Sequence, residues 1–337
     1  MTSPPARRLR VLESVAAPGP TVKYVDQVVR YAPDDIAFSF FSWKTALFGR
    51  YEVFHVHWPE SLVRDKSPRR DKRKQLLFRL LLMRLTLFRT RVVRTVHNLQ
   101  PHGGVTPVQQ RLLARLDGIT STWVHLNDCT PSESGGEVVV IPHGDYQEQL
   151  GVLPARDAVP GRFLFIGRIE PYKQVGRLIA AMQDAGRAGE SLRIVGSAAA
   201  PLRAELETLL SQWSREDVDA SARFAFVSDE EMVEEITAAE CVVLPYSEMH
   251  NSGIALVALS LGRPVIVPDG CVNRALAEEV GEGWVLLFDG DFNAATIASA
   301  RSQLARRSSI APDLRGREWQ KIAAEYARVF RGGGPAT

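Results

Sequence analysis

Two stretches of the chain put cations and free backbone amides where an anion could sit. Phe165-Ile-Gly-Arg-Ile-Glu-Pro-Tyr-Lys173 runs an apolar strand into Gly167 and Arg168, with Lys173 five residues on. A guanidinium grips two oxygens at once and an ammonium adds a compact charge, so Arg168 and Lys173 together suit a diphosphate. Further along, Leu244-Pro-Tyr246 leads through Glu248 and Asn251-Ser-Gly253 into an apolar helix, then into Gly262-Arg-Pro-Val265. Asn251 or Ser252 is placed to cap that helix, and Gly253 lets a ligand approach the backbone. Unpaired amides and the positive end of the helix dipole make such a turn an anion site. Alone, either stretch reads as a surface arginine or an ordinary capped helix; aimed at one sheet edge, they read as one site.

Histidines form the second set. His97 ends Val93-Arg-Thr-Val-His-Asn98, and His55-Val-His-Trp-Pro-Glu60 closes the preceding strand in the same way. Trp58 offers a flat apolar face, and Asn98, Pro101 and His102 continue from His97. His143 lies in a Pro-His-Gly turn, where a tight corner is an equally good account. His55 and His57 share one strand face, which would suit zinc, yet neither a cysteine pair nor His-x-x-x-His supports it. Cys129, Cys241 and Cys271 lack metal-ligand spacing, so no metal is expected. Asp289-Gly-Asp291 falls between a strand and a helix, where Asp291 is expected as an N-cap.

These residues need strands and helices to hold them. Leu9–Ser14, Ile36–Phe40, Val53–His57, Val92–His97, Ile119–His125 and Val138–Ile141 read as strands in the first half. Arg162–Ile166, Leu192–Val195, Phe224–Val227, Cys241–Leu244, Pro264–Val267 and Trp284–Phe288 do so in the second. Helical periodicities separate the later ones, as at Val175, Leu178, Ile179 and Met182. Near-continuous apolar strands alternating with helices predict an α/β fold of two Rossmann-like, doubly wound parallel-sheet domains. The domains are expected at 1–152 and 153–315, because Gly151–Gly161 is rich in proline and lacks periodicity, with a terminal helix at 316–331.

A chain of 337 residues suits two such domains, and a net charge of +2 gives no reason to expect nucleic acid. A dinucleotide dehydrogenase would carry Gly-x-Gly-x-x-Gly after the first strand; Ala16-Ala-Pro-Gly-Pro-Thr21 has one glycine. No leader-like or membrane-spanning apolar run is seen, so a cytoplasmic protein is expected.

In order and content, the segments resemble retaining glycosyltransferases of the GT-B fold, in the family-4-like group 1 set and its exopolysaccharide or glycolipid branch. The resemblance rests on Thr95-Val-His-Asn98, Val140-Ile-Pro-His-Gly144, Gly167-Arg with Lys173, Ile194-Val-Gly196, Val227-Ser-Asp-Glu230, Leu244-Pro-Tyr246 and Gly262-Arg-Pro-Val265. It implies domains facing a central cleft, with the terminal helix returning to the N-terminal, acceptor-binding one. The donor site would then comprise Gly167, Arg168, Lys173, Gly196, Val227, Glu248, Asn251, Ser252 and Gly253. His97 would act on the donor sugar beside Arg168 and Lys173 as catalytic groups, and His57, Trp58, Asn98, His102 and His143 would face the acceptor. Two departures stand out. Met249 and Val257 occupy positions where the family carries two glutamates, with Glu248 one residue from the first, and the glycine-rich first loop is reduced to Gly19.

From Arg64 to Arg94 there are twelve Lys or Arg and two acids, Asp65 and Asp71, with Leu76–Phe88 interleaving apolar residues and arginines. This reads as a basic amphipathic helix, for an anionic membrane surface or simply as a solvated face. The expected function is metal-independent, retaining transfer of a sugar from a nucleotide diphosphate donor, needing no cofactor, to a glycan or lipid-linked glycan. Its place would be the cytoplasm or the inner face of the plasma membrane. The alternatives are a sugar-nucleotide epimerase on the same fold and a catalytically silent binding protein.

Overall fold

The computed structural model describes residues 7–19, 24–99, 104–131, 135–307 and 310–333. The chain divides into two compact units, residues 1–144 with 317–337, and residues 145–316. The first division thus falls at Gly144, ahead of the proline-rich stretch 151–161.

Unit 1 is built on strands β1 (Leu9–Glu13), β2 (Ile36–Phe40), β3 (Val53–Val56), β4 (Arg91–Val96), β5 (Thr122–His125) and β6 (Glu137–Val140), all parallel, in the order β2-β1-β3-β4-β5-β6. Every residue of β3 and β5 is buried, as expected of strands covered on both faces. One face packs Phe54, Val56 and Val92 against Phe78, Leu81, Leu82 and Leu85 of the helix Pro68–Leu87. The other packs Val11, Val53, Val93 and Val124 against Trp319, Ile322, Tyr326 and Phe330 of the terminal helix Trp319–Arg331. That helix is therefore part of unit 1, and it fits tightly: a Cβ on Gly144 would lie 2.3 Å from the Trp319 ring.

Unit 2 repeats the plan with β7 (Arg162–Ile166), β8 (Ser191–Val195), β9 (Asp219–Arg223), β10 (Cys241–Val243), β11 (Val265–Pro268) and β12 (Val285–Phe288), parallel, in the order β12-β11-β10-β7-β8-β9. Both sheets are doubly wound. In each, the chain reverses its direction of travel across the sheet at one point, between β1 and β3 in unit 1 and between β7 and β10 in unit 2. Crevices at the carboxyl ends of such strands are where open α/β sheets hold ligands.

Two local expectations are corrected. The strand expected at Phe224–Val227 is instead Asp219–Arg223, a polar edge strand paired on one side only. The apolar run that drew attention lies beyond it, with Phe226 exposed. Asn293, not Asp291, caps the helix Ala294–Leu304, through a capping box with Thr296, while Asp291 pairs with Arg177.

Candidate active site

In unit 2 the apolar strand β7 ends in Gly167, whose φ of +119° is a conformation that favours glycine. Gly196, at the end of β8, backs directly onto it: a Cβ there would lie 1.8 Å from the Gly167 carbonyl oxygen. The following chain makes a short 3₁₀ turn, Pro171–Lys173, and Gln174 then enters the left-handed region to start the helix Val175–Ala185. This turn drives Lys173 inward. Its Nζ lies over the Tyr246 ring at 5.0 Å and close to Gly167. Burial pulls its pKa down to about 8, so it remains mostly a cation at neutral pH.

The loop after β10 is tied to the same turn, since the Ser247 amide donates to the Tyr172 carbonyl at 2.9 Å. Ser252 accepts from the Ala255 amide and caps the helix Gly253–Ser260. Ile254, in its first turn, packs beside Gly167. Lys173, Gly167 and the amino end of this helix thus meet at the β7/β10 crevice, with Gly196 as its backing and Asn251 half-buried at its rim. Arg168 and Glu248 stand apart: Arg168 is exposed and pairs with Glu170 at 2.5 Å, and Glu248 is exposed. Val227 is half-buried in a separate loop, next to Ser228, which caps the helix Asp229–Ala238. A neighbouring groove of about 540 Å³, lined by residues including Glu170, Gln174, Arg177 and Glu205, includes none of Lys173, Ser252 or Gly253. Its place is therefore beside the β7/β10 crevice and not in it.

At the β1/β3 crevice of unit 1 lies a buried polar cluster that the sequence reading only partly contained. Glu13 ends β1, fully buried; its Oε1 lies 3.0 Å from His55 Nδ1 and its Oε2 3.2 Å from His57 Nε2. His57 Nδ1 lies 2.8 Å from His97 Nε2. His55 Nε2 lies 2.8 Å from Thr95 Oγ1, which in turn reaches Tyr326 Oη at 2.9 Å and, through it, Tyr24 Oη at 2.8 Å. Burial works against the Glu13 charge, but the attraction and hydrogen bonds of His55 and His57 outweigh it and hold the carboxyl at about 2. Burial depresses His57 to about 4, partly offset by Glu13, and it carries His97 well below the ordinary histidine range. At pH 7 the cluster therefore sets a carboxylate at Glu13 beside neutral imidazoles at His57 and His97.

Trp58 stacks on His97 with ring centroids 4.2 Å apart, and it does so from the left-handed backbone region at φ +39°. A bulky residue enters that region at a cost, so the stacking over His97 is enforced by the turn that leaves β3. Asn98 follows His97, half-buried. His143 belongs to the wall rather than the network: its Nδ1–H donates to the Gly144 carbonyl at 2.8 Å, its ring meets Tyr24 edge-on, and its own carbonyl accepts from Arg317. His102 lies outside the described residues. Glu13, His55 and His57 are also the cluster whose ligand atoms lie close enough, within 4.8 Å, to take an ion. Each of those atoms already has a hydrogen-bond partner, so the cluster is read as a proton network. The sequence signal for Glu13 was a lone acid closing the first strand.

The basic stretch is sorted by the fold into two groups. Lys74 folds back onto the Ser61 and Arg64 carbonyls and onto Asp65, Arg84 donates to the Gly49 carbonyl, Arg91 to that of Phe330, and Arg94 pairs with Asp117. Arg69, Arg70, Lys72, Arg73 and Arg79 are exposed on the helix Pro68–Leu87. Leu76, Leu80, Met83 and Leu87, at helical spacing on that same solvent side, are exposed too, with Phe88 and Phe48 beside them. No helix among the described residues is long and apolar enough to cross a membrane.

Residues 160–307 match the family model described as glycosyl transferases group 1. The chain is 40% identical over 327 residues to the GDP-mannose:glycolipid 4-beta-D-mannosyltransferase of Xanthomonas campestris pv. campestris, covering 96% of this chain and 93% of that one. Among solved structures, the sucrose-phosphate synthase of Thermosynechococcus elongatus aligns with TM-score 0.64 at 17% identity over 96% of this chain and 98% of its own. Anabaena HepE, in complex with UDP-glucose, aligns with TM-score 0.63 at 13% identity over 96% and 98%. Both sheets and their flanking helices are those of the GT-B fold.

Proposed function

Since the chain belongs to the group 1 glycosyltransferases and is an enzyme that uses a nucleotide sugar, we propose that it moves mannose from GDP-mannose to a hydroxyl of a glycolipid. The observation that carries this is 40% identity along nearly the whole chain to a relative whose name states that donor and that class of acceptor. The name also states a β linkage. GDP-mannose is an α-glycosyl diphosphate, so a β product requires inversion at C1. On that ground inversion replaces, in this proposal, the retention that the family resemblance implies.

Inversion asks for two things of the protein. The departing diphosphate needs positive charge, for which Lys173, Arg168 and the amides at Gly253 are suited without a metal. The attacking hydroxyl needs a base, and His97, neutral and backed by a carboxylate network, has the chemistry for it. In this reading Trp58 offers its face to a sugar, and Asn98 lines the acceptor side. The helix Pro68–Leu87 rests on an anionic leaflet, inner face of the plasma membrane, where a glycolipid would be met. The stereochemical test is the product itself: its anomeric carbon–hydrogen coupling, measured by NMR, should be that of a β-mannoside, in buffer with or without EDTA. An α-mannoside would restore retention, and loss of turnover in EDTA would end metal independence.

A further inference from the structure

The directions of the hydrogen bonds in the Glu13 cluster can be worked out from the carboxylate outward. An ionised carboxylate only accepts. His55 therefore donates Nδ1–H to Glu13, and His57 donates Nε2–H. A neutral imidazole has one N–H, so His57 Nδ1 must accept, and the only group it can accept from at 2.8 Å is His97 Nε2–H. On the other branch His55 Nε2 lies 2.8 Å from the Thr95 hydroxyl, which is linked in turn to Tyr326 and Tyr24. Along the His57–His97 branch every donor thus runs toward Glu13. The consequence at the far end is specific: His97 carries its proton on Nε2, and Nδ1 is its basic nitrogen.

We propose that Glu13 and His57 are positioning residues that hold His97 in the Nε2–H tautomer, making Nδ1 the group that takes the proton of the attacking hydroxyl. This deepens the reading of His97 as the base and rests on it. As the acceptor oxygen bonds to C1 of the mannose, its proton passes to His97 Nδ1. The bond from C1 to the diphosphate oxygen breaks, and its electron pair leaves with GDP. The imidazolium so formed keeps Nε2–H on His57, whose own N–H points at the Glu13 carboxylate. The new positive charge is then compensated by a negative one already buried two links away. Tyr24, Tyr326 and Thr95 brace His55 from its other nitrogen, while its Nδ1–H holds the second carboxylate oxygen. Trp58, stacked on His97, holds the ring plane.

The tautomer is read directly in the wild-type protein by nitrogen-15 NMR of labelled histidine, where His97 should be protonated at Nε2. Glu13→Gln supplies the kinetic arm, because an amide presents one acceptor oxygen and cannot accept from both imidazoles. With labelled GDP-mannose and a glycolipid extract as acceptor, kcat should fall ~10²-fold or more while KM for GDP-mannose stays roughly unchanged, the pattern of a base in the wrong tautomer. His97→Ala should lose at least as much, and Glu13→Asp should recover part of the rate. Protonation of His97 at Nδ1 in the wild type would overturn the proposal, even if Glu13→Gln failed to fold. Wild-type kcat in Glu13→Gln or His97→Ala would overturn it too. A wild-type protein that left GDP-mannose untouched would instead sink the donor assignment, and the relay would still be decided by the tautomer.

Discussion

Lys173 is a cation held where water is scarce, and that is the property a diphosphate site needs. Burial and the Tyr246 ring strip its solvation, so a phosphate oxygen placed against it meets a charge less screened than a surface lysine's. Arg168 is the opposite case, exposed and paired with Glu170, and must leave that partner to take a donor. Replacing either by alanine should cost ~10²-fold in turnover, the usual loss for one transition-state donor. Because burial lowers the Lys173 pKa to about 8, GDP affinity should weaken as pH climbs past that value, where the ammonium deprotonates. Calorimetric titration of GDP at pH 6.5 and 9.5, beside the two variants, checks both; unchanged affinity and wild-type rates would end the assignment. The contrast with Glu13 explains what a reader of the sequence can find. Gly167, Lys173, Ser252 and Gly253 lie in continuous motifs that announce a turn and a capped helix. Glu13 meets His57 only because the chain reverses at β1 and β3, and nothing local to Leu9–Glu13 records that sheet order.

At the scale of elements, the helix Pro68–Leu87 has two faces of different origin. Phe78, Leu81, Leu82 and Leu85 are core, whereas Leu76, Leu80, Met83 and Leu87 are solvent-facing among exposed cations. A helix serving only its own core would have no use for the second stripe, and contiguous exposed apolar surface of this kind marks an interaction site. Cations near an anionic surface contribute on the order of 1 kcal/mol each, screened by salt, and the apolar stripe adds insertion into the headgroup boundary. Sedimentation with vesicles containing phosphatidylserine should carry the protein down at low salt and less at high salt, with little partitioning to neutral vesicles. Changing Leu76, Leu80 and Met83 to serine together should weaken it without unfolding. Equal partitioning to both lipid types, or none, would leave a merely solvated face. The basic composition was plain in the sequence, but the separation of Lys74, Arg84, Arg91 and Arg94 from the exposed cations was not, because their partners come from other loops and strands. The same holds for β9, an edge strand polar enough that the neighbouring apolar run was the stronger signal.

At the scale of the molecule, six of the seven histidines belong to unit 1, and the last helix of the chain covers one face of its sheet. Acid should therefore act on the two units unequally. In the unfolded chain His57 and His143 regain their ordinary value near 6.5, whereas burial holds them at about 4 in the fold. Below pH 6.5 the unfolded state takes up protons that the native state refuses, so stability present above 6.5 drains away as the pH falls toward 4. Each of the two histidines withdraws roughly 2 kcal/mol by pH 5 on this reasoning. Glu13 works in the same direction at lower pH: its folded value of about 2 lies below the ordinary 4.5, so its stabilisation is intact above 4.5 and lost beneath it. Among the described residues unit 2 has no buried histidine, and its lowered carboxylates at Asp217, Glu231, Asp269 and Asp313 are surface groups that respond only in stronger acid. Hydrogen exchange read by mass spectrometry between pH 7.5 and 5, corrected for the intrinsic rate, should show protection falling first in β1, β3, β4 and the terminal helix Trp319–Arg331 while β7, β8 and β10 keep theirs. That helix is included because Tyr326 is hydrogen-bonded into the network and Trp319 seals Gly144, so it cannot loosen independently of the histidines. Loss of protection that began in unit 2, or that spread evenly over both units, would show that the buried imidazoles are not what makes the fold sensitive to acid.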